Sequence, residues 1–194
     1  MIDLDLIKKL REETSVSISK CKEALEKANG DIKKAKEFLK GFEKEIADKK
    51  SSRETNIGIV ESYIHQNKRV GVLLDIRCES DFVAKSEEFG KLAHEICLQI
   101  AALNPKFIKK EDIPEDIIES EKKAYNDQFS DAKKPEKVIE EIIKGKILKF
   151  KKENSLLEQL WVKDPEKTIK GLIEEKVAKF GENIAIKSFV RYEI

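Results

Sequence analysis

The chain has 194 residues, 40% of them charged, yet 39 basic and 38 acidic side chains leave a net charge of only +1. That length fits one sizeable core, or one core with a small satellite domain, and the balanced charge excludes a generic nucleic-acid binder with its basic excess or stripe. No apolar run approaches the ~20 residues of a membrane span, and Met1 to Ile7 lacks the basic start and apolar centre of a secretory signal.

In chain order, Ile7 and Leu10 mark a short first helix that stops near Thr14-Ser15. A second helix carries Ile18, Cys21, Ala24, Leu25 and Ala28 on one face. Asn29-Gly30 breaks it, and Asp31 can cap a third helix bearing Ile32, Ala35, Phe38, Leu39 and Phe42. Three such helices, residues 1–46, can share a small core. The polar stretch Lys44 to Thr55 extends the third helix in its first half and links flexibly at Ser51-Ser52, which sets a linker at 47–55 and a core domain at 56–194.

Ile57 to His65 reads as a strand rich in β-branched and aromatic residues, Gln66 to Arg69 as a polar turn, and Val70 to Cys78 as the returning strand of a hairpin. Val70, Val72, Leu74, Ile76 and Cys78 alternate with other residues, so this strand has one buried face. Phe89, Leu92, Ala93, Ile96, Cys97, Ile100 and Ala101 then recur at helical spacing. After Pro105 and the start signal Pro114, Ile113, Ile117, Ala124 and Tyr125 outline a further helix. Lys134-Pro135 opens another, with Val138, Ile139, Ile142, Ile143, Ile147 and Phe150 along its stripe. Asp164-Pro165 reads as a cap and first-turn proline for a helix with Ile169, Leu172, Ile173, Val177 and Phe180, closed by Gly181. Ile184, Ile186, Val190 and Tyr192 describe a last strand. The fold class expected is α+β: a small antiparallel sheet covered by helices, behind a helical N-terminal domain.

Between the second strand and its following helix lies Arg77 to Lys85, Arg-Cys-Glu-Ser-Asp-Phe-Val-Ala-Lys. It places an acid beside a large aromatic at a chain reversal, where rigid flanks position contact residues. Glu79 to Lys85, with the helix ending Gln99 to Pro105, resembles the central signature of the elongation factor Ts family. Members of that family exchange the nucleotide of the translational GTPase elongation factor Tu. The family's usual threonine is replaced here by Ser80, which keeps the hydroxyl.

Leu10 to Thr14, Cys21 to Leu25 and Ala28 to Ile32 resemble the family's N-terminal domain, which is similar in fold to ubiquitin-associated domains. Ser15, Val16 and Ser17 stand where the family has a glycine-containing segment. Downstream, Lys134 to Glu136, Gly145 to Phe150, Leu156 to Gln159, Val162 to Asp164 and Gly181 to Arg191 follow the family's order. Leu160-Trp161 replaces its usual Pro-Phe. The resemblance covers nearly the whole length, with room for one core domain and no long inserted coiled coil.

By this resemblance, Ser80, Asp81, Phe82 and Val83 form an exchange wedge. The Asp-Phe pair is implied to enter the GTPase domain of elongation factor Tu, displace helices, disturb the Mg²⁺ site and weaken the phosphate cradle. Arg11, Ile18 and Ser19 are implied to meet a helix of the same domain; Ile18-Ser19 stands where the family often has two methionines. The resemblance also admits a homodimer, forming a 2:2 complex, and implies no cofactor, no metal and no direct nucleic-acid contact. Without it, Asp81 merely caps a helical turn, Phe82 and Val83 plug the sheet–helix junction, Ile18 is core and Arg11 a solvated flank.

Enzyme chemistry is not expected. His65 and His94 lie near no serine or cysteine nucleophile motif, and His94 reads as a solvated flank residue. Cys78, His94 and Cys97 match no zinc spacing, and Gly145-Lys146 lacks the upstream glycine of a phosphate loop. Cys21, Cys78 and Cys97 are odd in number and form no disulfide framework, so a cytoplasmic location is expected. The competing class is a helix-binding adaptor without exchange activity. An RNA-binding accessory protein fits less well, because no aromatic-basic platform is present.

Overall fold

Helical periodicity at the N-terminus becomes α1 (Leu4–Thr14), α2 (Ile18–Lys27) and α3 (Ile32–Lys50). The computed structural model describes residues 3–14, 16–129 and 135–194; Ser15 and Lys134, named above at a helix end and a helix start, lie outside the described residues. Asn29 and Gly30 both take positive φ, 51° and 84°, and Asp31 then accepts from the N–H groups of Lys33 and Lys34, so chain reversal and cap fall where the sequence puts them. The helices close over Ile7, Leu10, Cys21, Ala24, Leu25, Ala35 and Leu39. Ile18 and Phe38 do not join that core; both are exposed. Helix α3 runs to Lys50 and so takes in the first half of the connector.

The hairpin forms from β1 (Ile57–Ile64) and β2 (Val70–Cys78), and β5 (Ala185–Glu193) joins β2 to give the order β1-β2-β5. The N–H of Ile194 donates to the carbonyl of Arg69 at 3.0 Å, which sets the end of β5 beside the start of β2, antiparallel. Val72, Leu74, Ile76 and Cys78 are buried, as their alternation requires. Along the last strand the alternating set does not keep one face: Ile184 is buried and Ile186 half-buried, but the two that follow are exposed. Val190 and Tyr192 point outward, while the Arg191 side chain is 11% exposed and donates to the carbonyl of Ala101 at 3.2 Å. Apolar residues stand at both parities of this strand, so alternation alone does not select its buried side.

The chain divides into two compact units, one of Met1–Glu61, Asp75–Ala93 and Gly171–Lys187, the other of Ser62–Leu74, His94–Lys170 and Ser188–Ile194. The first holds the N-terminal helices, a one-turn helix α4 (Asp81–Ala84), the start of α5 (Glu87–Leu103) and nearly all of α8 (Ile169–Phe180). Within it, Phe89 and Phe180 meet edge-to-face with ring centroids 6.4 Å apart, and the Glu88 carboxylate binds both Lys176 and Lys179.

The second unit contains α6 (Glu115–Phe129) and α7 (Glu136–Asn154), which pack through Ile118, Ile143 and Ile147 with Ile113. Lys146 lies over the rings of Tyr125 and Phe129, at 4.7 and 4.8 Å, a packing role for a residue beside Gly145. Val138, expected on the α7 stripe, is exposed instead.

Asp164-Pro165 does not start a helix. It opens β4 (Asp164–Thr168), paired antiparallel with β3 (Leu160–Trp161), and α8 begins only at Ile169. The hairpin is held by a fully buried amide. Gln99 donates to Gln159 at 3.1 Å and to the carbonyl of Leu160 at 3.0 Å, and accepts from the N–H of Val162 at 3.0 Å. These bonds hold Leu160 and Val162 at the hairpin, so the local cap signal loses to a tertiary one.

Gly58 shows how closely β1 and β2 approach. A Cβ there would lie 2.1 Å from the Ile76 carbonyl oxygen and 2.8 Å from Arg77 Cα, both backbone atoms. Gly58→Ala is expected to destabilise the protein by about 1–3 kcal/mol, read from urea unfolding with an unchanged slope.

Candidate functional site

Three of the four residues of α4 are apolar, and they do not behave alike. Val83 and Ala84 are buried, at 4% and 7% exposure, whereas Phe82 is 86% exposed. Phe82 therefore does not plug the sheet–helix junction; Val83 and Ala84 face inward instead. Asp81 also points to solvent and pairs with Lys85 one turn on, at 2.8 Å. The bare cap reading gives Asp81 the wrong role, since the N-cap is Ser80, whose Oγ accepts from the N–H of Val83 at 3.3 Å.

Ser80 is held at every polar atom. Its N–H and Oγ–H donate to the two carboxylate oxygens of Glu182, at 3.0 and 2.6 Å. Its carbonyl accepts from the Ala84 N–H at 3.1 Å and the buried Cys78 thiol at 3.3 Å. Burial pushes the Cys78 thiol pKa up, and the Glu182 carboxylate adds to that, so this cysteine is a poor nucleophile.

Next to it, Glu79 accepts the N–H of Asn183 at 2.6 Å and pairs with Arg53 at 3.4 Å. The Asn183 hydrogen bond, then Arg53, hold the Glu79 carboxyl below the usual glutamate range. These partners were not anticipated from the sequence. Gly181 alone reads as a helix stop, with Glu182 and Asn183 in a family-like run, and nothing local signals a contact 102 residues back along the chain.

Arg11, Ile18 and Ser19 are all exposed, on α1 and α2, with Ile18 at 55%. The core reading of Ile18 is thereby corrected. His94 is exposed too, its ring edge-on to Tyr63 at 5.9 Å. Among the described residues no three His, Cys, Asp or Glu side chains gather as a metal-binding group, and no helix is long and apolar enough to cross a membrane.

The exposed aromatic at this turn lies within a stretch that a family model matches. The sequence model of Elongation factor TS matches residues 6–194. The chain belongs to the elongation factor Ts family. It is 48% identical over 194 residues to Elongation factor Ts of Thermosipho melanesiensis, covering 100% of this chain and 99% of the relative. To Elongation factor Ts of Thermotoga maritima it is 48% identical over 193 residues, covering 100% and 96%. The corresponding protein of Caldanaerobacter subterraneus subsp. tengcongensis is 49% identical over 193 residues, with the same coverage. Membership of the elongation factor Ts family makes this a translation elongation factor.

The Glu79 contact has a pH signature. Because its folded pKa is depressed, its contribution to stability is fully present above the ordinary glutamate pKa and is lost as pH falls through the lowered value. The stability gap between the native chain and Glu79→Gln should therefore be widest near about pH 7 and close towards about pH 3, in parallel denaturant titrations.

Proposed function

We propose that the protein binds elongation factor Tu in its GDP form and promotes GDP release, so that GTP can load during translation elongation. The observation that carries this reading is a phenylalanine left 86% exposed on a turn held before it by the Ser80–Glu182 hydrogen bonds and after it by the buried Val83 and Ala84. An ordered apolar ring in water is suited to burial in a partner. Ser80 caps the turn, Val83 anchors it, and Asp81 and Phe82 form the part that enters the GTPase domain beside the nucleotide.

A GTPase holds its nucleotide mainly through phosphate–backbone hydrogen bonds and a bridging Mg²⁺. A wedge that fits only the opened site is coupled negatively to nucleotide, and nucleotide must weaken the wedge's binding by the same factor. The factor thus drives GDP out and leaves when GTP arrives. No bond in either partner is made or broken, so no catalytic side chain, metal or cofactor is required of this chain, and it acts as an exchange factor rather than an enzyme.

Residues 1–46 serve in this reading as a separate contact module, with Arg11, Ile18 and Ser19 against a helix of the same GTPase domain. Residues 47–55 link it to the core at 56–194. The outward side of the sheet in the second unit supports a homodimer within a 2:2 complex: Ile64, Leu73, Tyr192 and Ile194 line one shallow apolar hollow, and Val190 is exposed beside Tyr192 on β5. The setting is cytoplasmic.

Release of a fluorescent GDP analogue from elongation factor Tu tests the proposal. The native chain should accelerate it, and Phe82→Ala should lose about tenfold or more of that acceleration. No acceleration by the native chain would remove the exchange reading in favour of the adaptor. Sedimentation tests the dimer: Tyr192→Asp should run as a monomer where the native chain runs as a dimer.

A further inference from the structure

One short turn after α8 reaches two separate parts of its unit. Gly181 ends the helix at φ +73°, a conformation that favours glycine. On one side, Glu182 takes both the N–H and the hydroxyl of Ser80, and the N–H of Asn183 sits on Glu79. On the other, the Asn183 side-chain amide donates to the carbonyls of Ser51 and Arg53, at 3.3 and 2.8 Å. The Gly181 carbonyl accepts the Lys50 ammonium at 2.6 Å, and Arg53 closes the ring by pairing with Glu79 at 3.4 Å.

We infer that the Gly181–Asn183 turn is a latch that fixes the Phe82 turn and the start of the linker from the N-terminal helices in one relation, with Glu182 and Asn183 as positioning residues for exchange. The inference rests on the exchange reading above. A one-turn helix does not hold its own shape, because nucleation is unfavourable and too few bonds follow it. Its geometry has to be imposed, and Glu182 imposes it at the cap residue. Residues 51–53 have the same problem: a polar connector leaving a helix adopts many conformations. Asn183 binds two of its carbonyls with one amide. Two contact faces that meet one partner bind together only when their spacing is already right, and ordering them in advance removes that cost from binding. Ending α8 needs only Gly181; the two side chains that follow reach the Phe82 turn and the linker.

The test is a double-mutant cycle on stimulated GDP release, using the full chain with Phe82→Ala, Glu182→Ala and both together. Glu182→Ala alone should slow release about tenfold, and in the Phe82→Ala background it should add less than about twofold, since it acts through that ring. Glu182→Gln, which keeps shape and one acceptor, should retain most of the rate. An equal loss in both backgrounds, or none in the native one, overturns the positioning role.

Amide measurements judge the latch independently of exchange. Glu182→Ala should speed hydrogen exchange at Ser80 and Val83, and Asn183→Ala should raise backbone motion over residues 51–55, with the protection of α1 to α3 unchanged in both. Unchanged amides in both variants overturn the latch. If Phe82→Ala leaves release untouched, the wedge reading falls alone and the amides still decide the latch.

Discussion

An aromatic ring held in water gains nothing from burial, so the order of the Phe82 turn has to come from its neighbours. The supply begins at β2. Its inner face is buried down to Cys78, the thiol of Cys78 reaches the Ser80 carbonyl, and Ser80 starts the single helical turn. Val83 and Ala84 are packed inward, and one turn of helix then leaves Asp81 and Phe82 no direction but outward. The exposed ring is thus the visible end of a buried strand.

Net charge says little about how such a site is recognised, and local charge says hardly more. Each acid around the turn already has company: Asp81 has Lys85, Glu79 has Arg53 and the Asn183 N–H, and Glu182 has the two donors of Ser80. With the carboxylates answered at home, the apolar ring is the feature that distinguishes this surface.

Most of the helices and the first hairpin were legible because their signals are local. Asn29-Gly30 and Asp31 fix a reversal and a cap within a few residues, and β2 declares its buried face by alternation alone. What failed was non-local. The hairpin at Leu160–Thr168 has one proline and little apolar alternation, and its order comes from Gln99, some 60 residues upstream. β5 has apolar side chains on both faces, so its register is decided by the neighbours it meets. The Ser80–Val83 turn was singled out through the family resemblance, and the structure leaves Phe82 exposed on it. The supports of that turn were not legible, because a glutamate's hold on a serine 102 residues away leaves no periodic trace.

The Glu88 carboxylate, shared between Lys176 and Lys179 beside the Phe89–Phe180 contact, carries a consequence for heat. Stripping water from charged groups becomes less unfavourable as temperature rises, because their hydration is strongly ordering, whereas apolar burial levels off. A carboxylate that answers two ammonium groups is therefore a fastening that weakens late on warming. Its two lysines sit on α8, just ahead of Gly181, so the segment that grips Ser80 is tied to the start of α5 by an interaction that holds up on heating.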